Sequence, residues 1–222
     1  LHGGGYIHNL LVFHWQLIGS LVKETGATIV VPDYPLAPKA TFEEVYAFVR
    51  VVYADVLRRY GQHKIVFMGD SAGGGLALGF AQVLRDEGQR NADEIVLLSP
   101  WLDVSCSHPD APKAERKDPT LSIEGLRLAG IAYAGSKEAT QLPKVSPLFG
   151  DMRGLGRVSV FIGTHDVFIV DCRVLREKLQ QAGQDYYFAE YPRMFHAWAV
   201  AGRLPEARHA RREIGKILKA KD

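Results

Sequence analysis

Residues 64–84, KIVFMGDSAGGGLALGFAQVL, decide the fold and indicate the chemistry of this chain. The apolar run Lys64–Met68 predicts a buried strand, and the apolar spacing over Gly73–Glu87 predicts a helix. Between them lies a match to G-x-S-x-G, with Ser71 on a sharp strand-to-helix turn. Such a turn strains the serine backbone and presents its hydroxyl at a helix N-terminus, where negative charge is stabilised. The flanking strand and helix favour a nucleophilic serine over an incidental serine in a glycine-rich turn.

Short apolar runs alternate with helical patterns along the rest of the chain. Further strands are predicted at Ala27–Pro32, Glu94–Leu98, Val158–Gly163 and Tyr186–Tyr191. Further helices are predicted from the Thr41/Glu44 capping box to Gly61, near Ser122–Ala134, at Asp171–Ala182 and at Leu204–Ala220. The alternation predicts an α/β fold with a mostly parallel sheet flanked by helices.

The stretch Asp103–Arg157 is rich in Pro, Asp, Ser and Lys, and it is longer than an ordinary connection. It is either a lid or a disordered insertion, and its apolar residues favour a lid because they can pack. We therefore expect one core, made of residues 1–102 and 158–222, with a lid inserted at residues 103–157.

Composition and charge exclude several classes of function. The 222 residues include 27 Lys and Arg against 25 Asp and Glu, and the net charge of +2 indicates no nucleic acid partner. No run approaches the ~20 apolar residues of a membrane span. Cys106 and Cys172 form no disulfide framework and have no partner at metal-ligand spacing, so a reduced cytoplasmic protein is expected. The sequence does not indicate an oligomeric state.

A second glycine-rich motif, His2-Gly3-Gly4-Gly5, lies at the start of the sequence. Acyl transfer to a serine passes through an oxyanion, which is stabilised by backbone N–H groups that are already in place. Glycines let a backbone come close to a reacting atom. Because the serine motif is also present, this loop is better interpreted as a set of oxyanion donors than as a flexible glycine loop.

A nucleophilic serine at neutral pH needs a base, and the base needs an orienting carboxylate. His196 follows the last predicted strand and Asp166 follows the strand before it, so both are expected at the same sheet edge as Ser71. Catalytic sets of a serine, an acid and a histidine are known in which the three residues follow one another in the order Ser, Asp, His along the chain. Asp171 is a nearby alternative for the acid, but it fits better as the N-cap of the next helix.

These motifs together resemble the hormone-sensitive-lipase-like group of α/β hydrolases, bacterial esterases marked by H-G-G-G and G-D-S-A-G-G. The similarity runs from residue 2 to about residue 200. Supporting matches are Val31-Pro32-Asp33-Tyr34, Leu36-Ala37-Pro38, Ser99-Pro100-Trp101, Ser146-Pro147-Leu148 and the turn from Gly163 to Asp166. The resemblance implies an α/β-hydrolase fold and hydrolysis of small-molecule carboxylic esters with short acyl chains, without a cofactor.

The resemblance also implies roles for particular residues. It implies that the catalytic triad consists of Ser71, Asp166 and His196. It also implies that the oxyanion hole consists of the backbone amides of Gly4, Gly5 and Ala72. His2 would support the glycine loop. Asp70 is a signature residue to which no direct chemistry is assigned.

Other functions stay open at the level of sequence. The same triad and donors would serve an amidase or an N-deacetylase. A small-molecule-binding protein on a hydrolase scaffold would have lost a triad residue, whereas all three residue types are present here.

The chain departs from the family pattern before the glycine loop. Family members carry a preceding segment, and its last strand lies inside the sheet between the strands matching Ala27–Pro32 and Lys64–Met68. Only Leu1 precedes the motif here. An interior strand position without an occupant leaves buried backbone groups unpaired. We therefore expect that residues 1–222 are part of a longer protein, and that alone they fold poorly, hydrolyse esters slowly or are inactive.

Overall fold

The computed structural model describes residues 1–202 and 204–219. Within these ranges the strands are β1 Val66–Asp70, β2 Glu94–Leu98, β3 Arg157–Gly163 and β4 Tyr186–Tyr191. The helices are α1 Val12–Thr25, α2 Phe42–Tyr60, α3 Ala72–Asp86, α4 Ala111–Glu115, α5 Ile123–Ala134, α6 Ile169–Gln181 and α7 Pro205–Lys219. Short 3-10 helices lie at Glu138–Gln141, Pro147–Phe149 and Trp198–Val200.

The strands form a parallel sheet in the order β1-β2-β3-β4. Its register aligns Gly69 with Leu97, and Leu97 with Val160. Parallel strands end at a common edge, so the residues that follow β1, β3 and β4 are brought together there. This confirms the predicted α/β fold with a parallel sheet.

Helices cover both faces of this sheet. Successive residues of a strand face opposite sides. Accordingly, Ile95 and Leu97 of β2 belong to one apolar core, and Val96 and Leu98 belong to another. The first core includes residues of α2, α3, α5 and α6, and the second includes residues of α1 and α7. All of β2 is buried, which explains its continuous apolar sequence.

The segment Ala27–Pro32 is not a strand, so that prediction is wrong. Residues such as Val30 and Val31 suit a pleated surface, but a strand also needs a neighbouring strand to pair with. In the described sheet β1 pairs only with β2. The segment and β1 instead both line a cavity of about 550 Å³. The expected effect of such an open position on folding stays a prediction.

The signals at helix ends are largely confirmed. The α2 capping box is present, with Thr41 N donating to Glu44 Oε2 at 2.8 Å, and Ser122 caps α5. The bounds of β2 and β4 are as predicted, whereas β1 ends later, at Asp70. The last predicted residue of α7, Ala220, lies outside the described residues. No helix among the described residues is long and apolar enough to cross a membrane.

Residues 103–157 pack into the first core. Val104, Leu126 and Tyr133 are buried in the same apolar cluster as α3. Asp103 fixes the start of the segment by accepting hydrogen bonds from the backbone and side chains of Ser105 and Ser107. The segment is therefore ordered and packed, and its movement as a lid stays a prediction.

Candidate active site

Ser71 is the single residue between β1 and α3, on the sharp turn that the motif predicts. Its backbone has φ 51° and ψ −122°, a region that residues other than glycine seldom adopt. Neighbouring backbone holds the turn: Ser71 N donates to Leu98 O at 2.9 Å, and Ser71 O accepts from Trp101 N at 2.9 Å. Strain of this kind persists only where the surroundings fix it, and it is concentrated at functional sites.

Two glycines let the chain pass closely around Ser71. A side chain on Gly69 would collide with the carbonyl of Gly73 at the start of α3. A Cβ on Gly73 would lie 2.5 Å from the carbonyl oxygen of His2. Because the obstructing atoms belong to the backbone, they cannot move aside easily, so both positions require glycine.

His196 and Asp166 continue a chain of hydrogen bonds from Ser71. His196 Nε2 lies 2.9 Å from Ser71 Oγ, and His196 Nδ1 lies 3.1 Å from Asp166 Oδ2. Asp166 is fully buried, and its other oxygen accepts a hydrogen bond from Phe168 N at 2.9 Å. With the Nδ1 proton directed at Asp166, the Nε2 lone pair faces the Ser71 hydroxyl. The structure therefore brings together the three side chains that the sequence analysis selected.

The turn after β3 and the loop after β4 are tied to each other. His165 N donates to Met194 O at 2.9 Å. Gly163 allows this contact, because a side chain there would collide with the Met194 carbonyl. Since Asp166 lies in the first segment and His196 in the second, these contacts fix the two side chains relative to each other.

The pKa of His196 is raised above its ordinary value. Burial alone lowers this pKa because it disfavours the charged ring, but the charge and hydrogen bond of Asp166, with the charges of Asp118 and Asp70, together outweigh burial. A higher pKa makes the ring a better proton acceptor. The arrangement can therefore take a proton from the Ser71 hydroxyl.

The glycine loop turns tightly beside the serine. Gly4 and Gly5 have φ of 113° and 60°, and Gly4 O accepts a hydrogen bond from Ile7 N at 3.0 Å. No residue in the described ranges accepts a hydrogen bond from the amide of Gly4 or Gly5. Ala72 is the first residue of α3, where an N–H has no acceptor within the helix. These three amides can donate to a negatively charged oxygen.

Asp171 is not the N-cap of α6, so that expectation is wrong. The helix begins earlier, at Ile169, because the side chain and carbonyl of Asp166 accept the first backbone N–H groups. Asp171 is buried in the first turn, and its Oδ1 has no hydrogen-bond partner among the described residues. Burial, with the nearby charge of Asp103, raises the pKa of Asp171 to about 8. The hydrogen bonds described for His196 do not include Asp171.

Comparisons with known proteins agree with this geometry. A model of the α/β-hydrolase fold matches residues 1–200. An esterase of Acinetobacter venetianus is 30% identical, over 100% of this chain and 74% of its own length. An acetyl-hydrolase of Streptomyces hygroscopicus is 30% identical, over 99% of this chain and 74% of its own length. The crystal structure of an esterase from the bacterial hormone-sensitive lipase family is 31% identical, with a TM-score of 0.93 over 99% of this chain and 74% of that one.

The chain belongs to the hormone-sensitive-lipase-like esterases of the α/β-hydrolase fold. It is a carboxylesterase-like hydrolase that acts on small-molecule esters. The family assignment covers nearly the whole chain, so the parallel sheet and the strand-to-helix turn at Ser71 both lie within the matched region.

Two residues of this esterase contact the site region although the sequence analysis named neither. His14 Nε2 lies 3.2 Å from Asp70 Oδ2. Asp118 Oδ2 accepts a hydrogen bond from Val167 N at 2.9 Å, across 49 residues of sequence. Contacts between a side chain and a segment that is distant in the sequence leave no periodic signal. Only the helical spacing of His14 with the buried residues of α1 could have drawn attention to it.

Proposed function

We propose that this esterase hydrolyses short-acyl carboxylic esters through an acyl-enzyme formed on Ser71. The observation that carries the proposal is the continuous chain of hydrogen bonds from Ser71 Oγ through the His196 ring to the buried Asp166. A serine hydroxyl is a weak nucleophile until an adjacent base removes its proton, and this chain supplies such a base.

In the proposed reaction, His196 takes the Ser71 proton as Oγ attacks the ester carbonyl carbon. The carbonyl oxygen becomes an oxyanion, to which the amides of Gly4, Gly5 and Ala72 donate hydrogen bonds. The tetrahedral intermediate then expels the alcohol, which receives the proton from His196. Water, activated by the same ring, attacks the acyl group and releases the carboxylic acid and free Ser71.

Asp166 acts through the histidine. Its Oδ2 accepts the hydrogen bond from His196 Nδ1, so the ring keeps Nε2 directed at the serine in the neutral state. When the ring becomes protonated, the buried carboxylate stabilises the positive charge. This role requires that the pKa of His196 be shifted upward, and the pKa is indeed raised.

The substrate class is inferred from chemistry and from relatives. An ester presents a better leaving group than an amide does, which favours cleavage of esters by these residues. The short-acyl preference is supported by the relative that is named an acetyl-hydrolase. Amide and N-acetyl substrates would use the same residues, so they are included in the test.

The test measures turnover of p-nitrophenyl acetate, butyrate and octanoate beside p-nitroacetanilide. We expect the fastest hydrolysis with the acetate or butyrate and far slower cleavage of the anilide. Ser71→Ala should abolish all of these activities. Ser20→Ala removes an exposed hydroxyl on α1 and serves as the matched control, with activity unchanged. Faster cleavage of the anilide would make the protein an amidase, and a fully active Ser71→Ala would overturn the mechanism.

A further inference from the structure

The carboxylate of Asp70 links the glycine loop to α1. Its Oδ1 accepts a hydrogen bond from Gly3 N at 3.0 Å, and its Oδ2 lies 3.2 Å from His14 Nε2. His14 Nδ1 accepts a hydrogen bond from Leu11 N at 2.9 Å, so in the neutral ring the proton is on Nε2 and is donated to Asp70. The glycine loop and α1 therefore both contact the carboxylate of Asp70.

Burial makes these hydrogen bonds strong. His14 and Asp70 are only 5% and 7% exposed. A buried carboxylate is costly unless its oxygens are hydrogen-bonded, and hydrogen bonds to an ionised acceptor are about twice as strong as neutral ones. Removing His14 would leave one oxygen of Asp70 without this partner. The carboxylate would then be free to turn away from Gly3.

The position of Asp70 in the chain gives this link its significance. Asp70 is the last residue of β1 and directly precedes Ser71, so the nucleophile and the anchor of the glycine loop share one stretch of backbone. Gly3 packs closely on both: a Cβ there would collide with Asp70 Oδ2 and would lie 3.0 Å from Ser71 Cβ. The peptides that follow Gly3 carry the amides of Gly4 and Gly5.

A second set of contacts holds the other end of the same peptide without replacing this link. The His2 ring stacks on Tyr34 at 4.2 Å, and Tyr34 OH donates to the His2 carbonyl. The His2 carbonyl and the Gly3 N–H belong to the same peptide, so Tyr34 holds its carbonyl end and Asp70 holds its N–H end. His2 Nδ1 also lies 2.7 Å from the Gly3 carbonyl oxygen. The direction of the Gly3 N–H is set by Asp70.

We propose that His14 and Asp70 are a positioning pair that, by holding Gly3, sets the orientation of the Gly4 and Gly5 amides toward the developing oxyanion. The proposal rests on the proposed function, since it assigns a role to donors that matter only if an oxyanion forms there. Donors must lie about 2.7–3.1 Å from that oxygen, so a small rotation of the loop weakens transition-state binding. Ester binding in the ground state depends much less on these donors.

The test compares His14→Leu, Asp70→Asn and the double variant with the wild type. Loss of a whole oxyanion donor costs on the order of 10²–10³ in kcat, so a displaced loop should cost about 10 to 100-fold. We expect this loss in kcat with KM within about twofold, and an equal loss of affinity for a trifluoromethyl ketone, which forms an oxyanion on the serine. Because the two residues act through one link, the double variant should be no slower than Asp70→Asn.

His14→Gln and Asp93→Asn are the companion variants. Glutamine can still donate to Asp70, so His14→Gln should recover much of the activity lost in His14→Leu, and it replaces His14→Leu in the comparison if that variant does not fold. Asp93 likewise accepts a backbone N–H, from Ile65, and hydrogen bonds from Arg90, but at the opposite end of the sheet. Asp93→Asn should therefore leave kcat unchanged.

The proposal would be overturned by multiplicative losses in the double variant, by a rise in KM with unchanged kcat, or by an equal kcat loss in Asp93→Asn. A failure of the proposed function is distinguishable, because Ser71→Ala would then keep its ester turnover. If Ser71→Ala is inactive while His14→Leu matches the wild type, only the positioning role fails.

Discussion

The environment of Asp166 differs from that of an ordinary surface carboxylate. It is fully buried, and both oxygens accept hydrogen bonds, one from Phe168 N and one from His196. Such a carboxylate can orient the ring of a histidine and stabilise its positive charge. Asp171, five residues further along, has one oxygen without a hydrogen-bond partner among the described residues, and its pKa is raised to about 8. It is therefore mostly uncharged at neutral pH.

Asp166→Asn should lower kcat for p-nitrophenyl butyrate by about 10⁴, as in serine proteases with the same three residues. The asparagine no longer stabilises the charged ring and can hold the wrong tautomer of His196. Asp171→Asn is the control and should keep kcat near the wild type. A large loss in Asp171→Asn, with Asp166→Asn near the wild type, would move the acid role to Asp171.

The pH dependence of kcat/KM should report the pKa of His196. The ring must be neutral to act as a base, so activity rises with pH through that pKa. Because neighbouring carboxylates raise this pKa, the midpoint of the wild type should lie above the ordinary value of about 6.5. Removing the Asp166 charge should shift the midpoint to lower pH in Asp166→Asn, measured at high enzyme concentration. An unshifted midpoint would contradict the assignment of His196 as the titrating base.

The three candidate side chains could be predicted from sequence for one physical reason. Each of Ser71, Asp166 and His196 follows a predicted strand, and parallel strands end at a common edge. The contacts of His14 and Asp118 could not be predicted, because they join side chains to distant segments and depend on how α1 and the insertion are packed. The role of Asp171 was misjudged because the start of α6 is set by Asp166.

Among the elements, the junction of β1 and α3 leaves no room for side chains at its glycines. A Cβ on Gly73 would meet the backbone carbonyls of Leu1 and His2, whereas a Cβ on Gly19, in the middle of α1, would meet no atom of the described residues within 4 Å. The same substitution, glycine to alanine, should therefore have opposite effects at the two positions.

Gly73→Ala should displace the glycine loop and lower kcat on the order of 100-fold, which is the cost of a misplacement of about 1 Å at a reacting centre. Gly19→Ala should raise the free energy of unfolding by about 1 kcal/mol, because alanine favours the helix and meets no obstacle. Turnover assays and urea denaturation check both. Unchanged turnover in Gly73→Ala would contradict the close approach of the loop to α3.

Element prediction succeeded where the local pattern determined the structure. The bounds of β2 and β4 were predicted, since continuous or alternating β-prone residues lie between clear turns. The segment Ala27–Pro32 has the same local character, but pairing depends on a neighbour that the pattern cannot show. The helix α1 was missed, although His14, Leu17 and Leu21 share one face and Gly26 ends the helix at φ 70°.

On the scale of the whole molecule, one sheet separates two apolar cores, and the insertion contributes to the first of them. Asp171 lies buried beside residues of that core, with its pKa raised to about 8 from an ordinary value of 3.8. The folded protein therefore holds a proton that the unfolded chain releases, over the interval between these two values. Stability should fall as pH rises through this interval.

Asp171→Asn should reduce this pH dependence. Between about pH 4 and pH 8 the folded protein holds one more proton on Asp171 than the unfolded chain does. Over this interval the contribution of Asp171 to the wild-type free energy of unfolding should fall by about 1.4 kcal/mol per pH unit. The uncharged asparagine releases no proton, so its profile should be flatter, and exposed Asp110→Asn should keep the wild-type slope. Urea denaturation at several pH values measures this, and parallel profiles for the wild type and Asp171→Asn would contradict it.

The central claim, that Ser71 is the nucleophile of this esterase, is tested most directly by locating a fluorophosphonate label by mass spectrometry. An activated serine oxygen displaces fluoride and keeps the phosphonyl group, so the label marks the nucleophile. The account predicts one label per chain, on the peptide that contains Ser71, with none in Ser71→Ala and much slower labelling in His196→Ala. A label that persists in Ser71→Ala on another serine would contradict it.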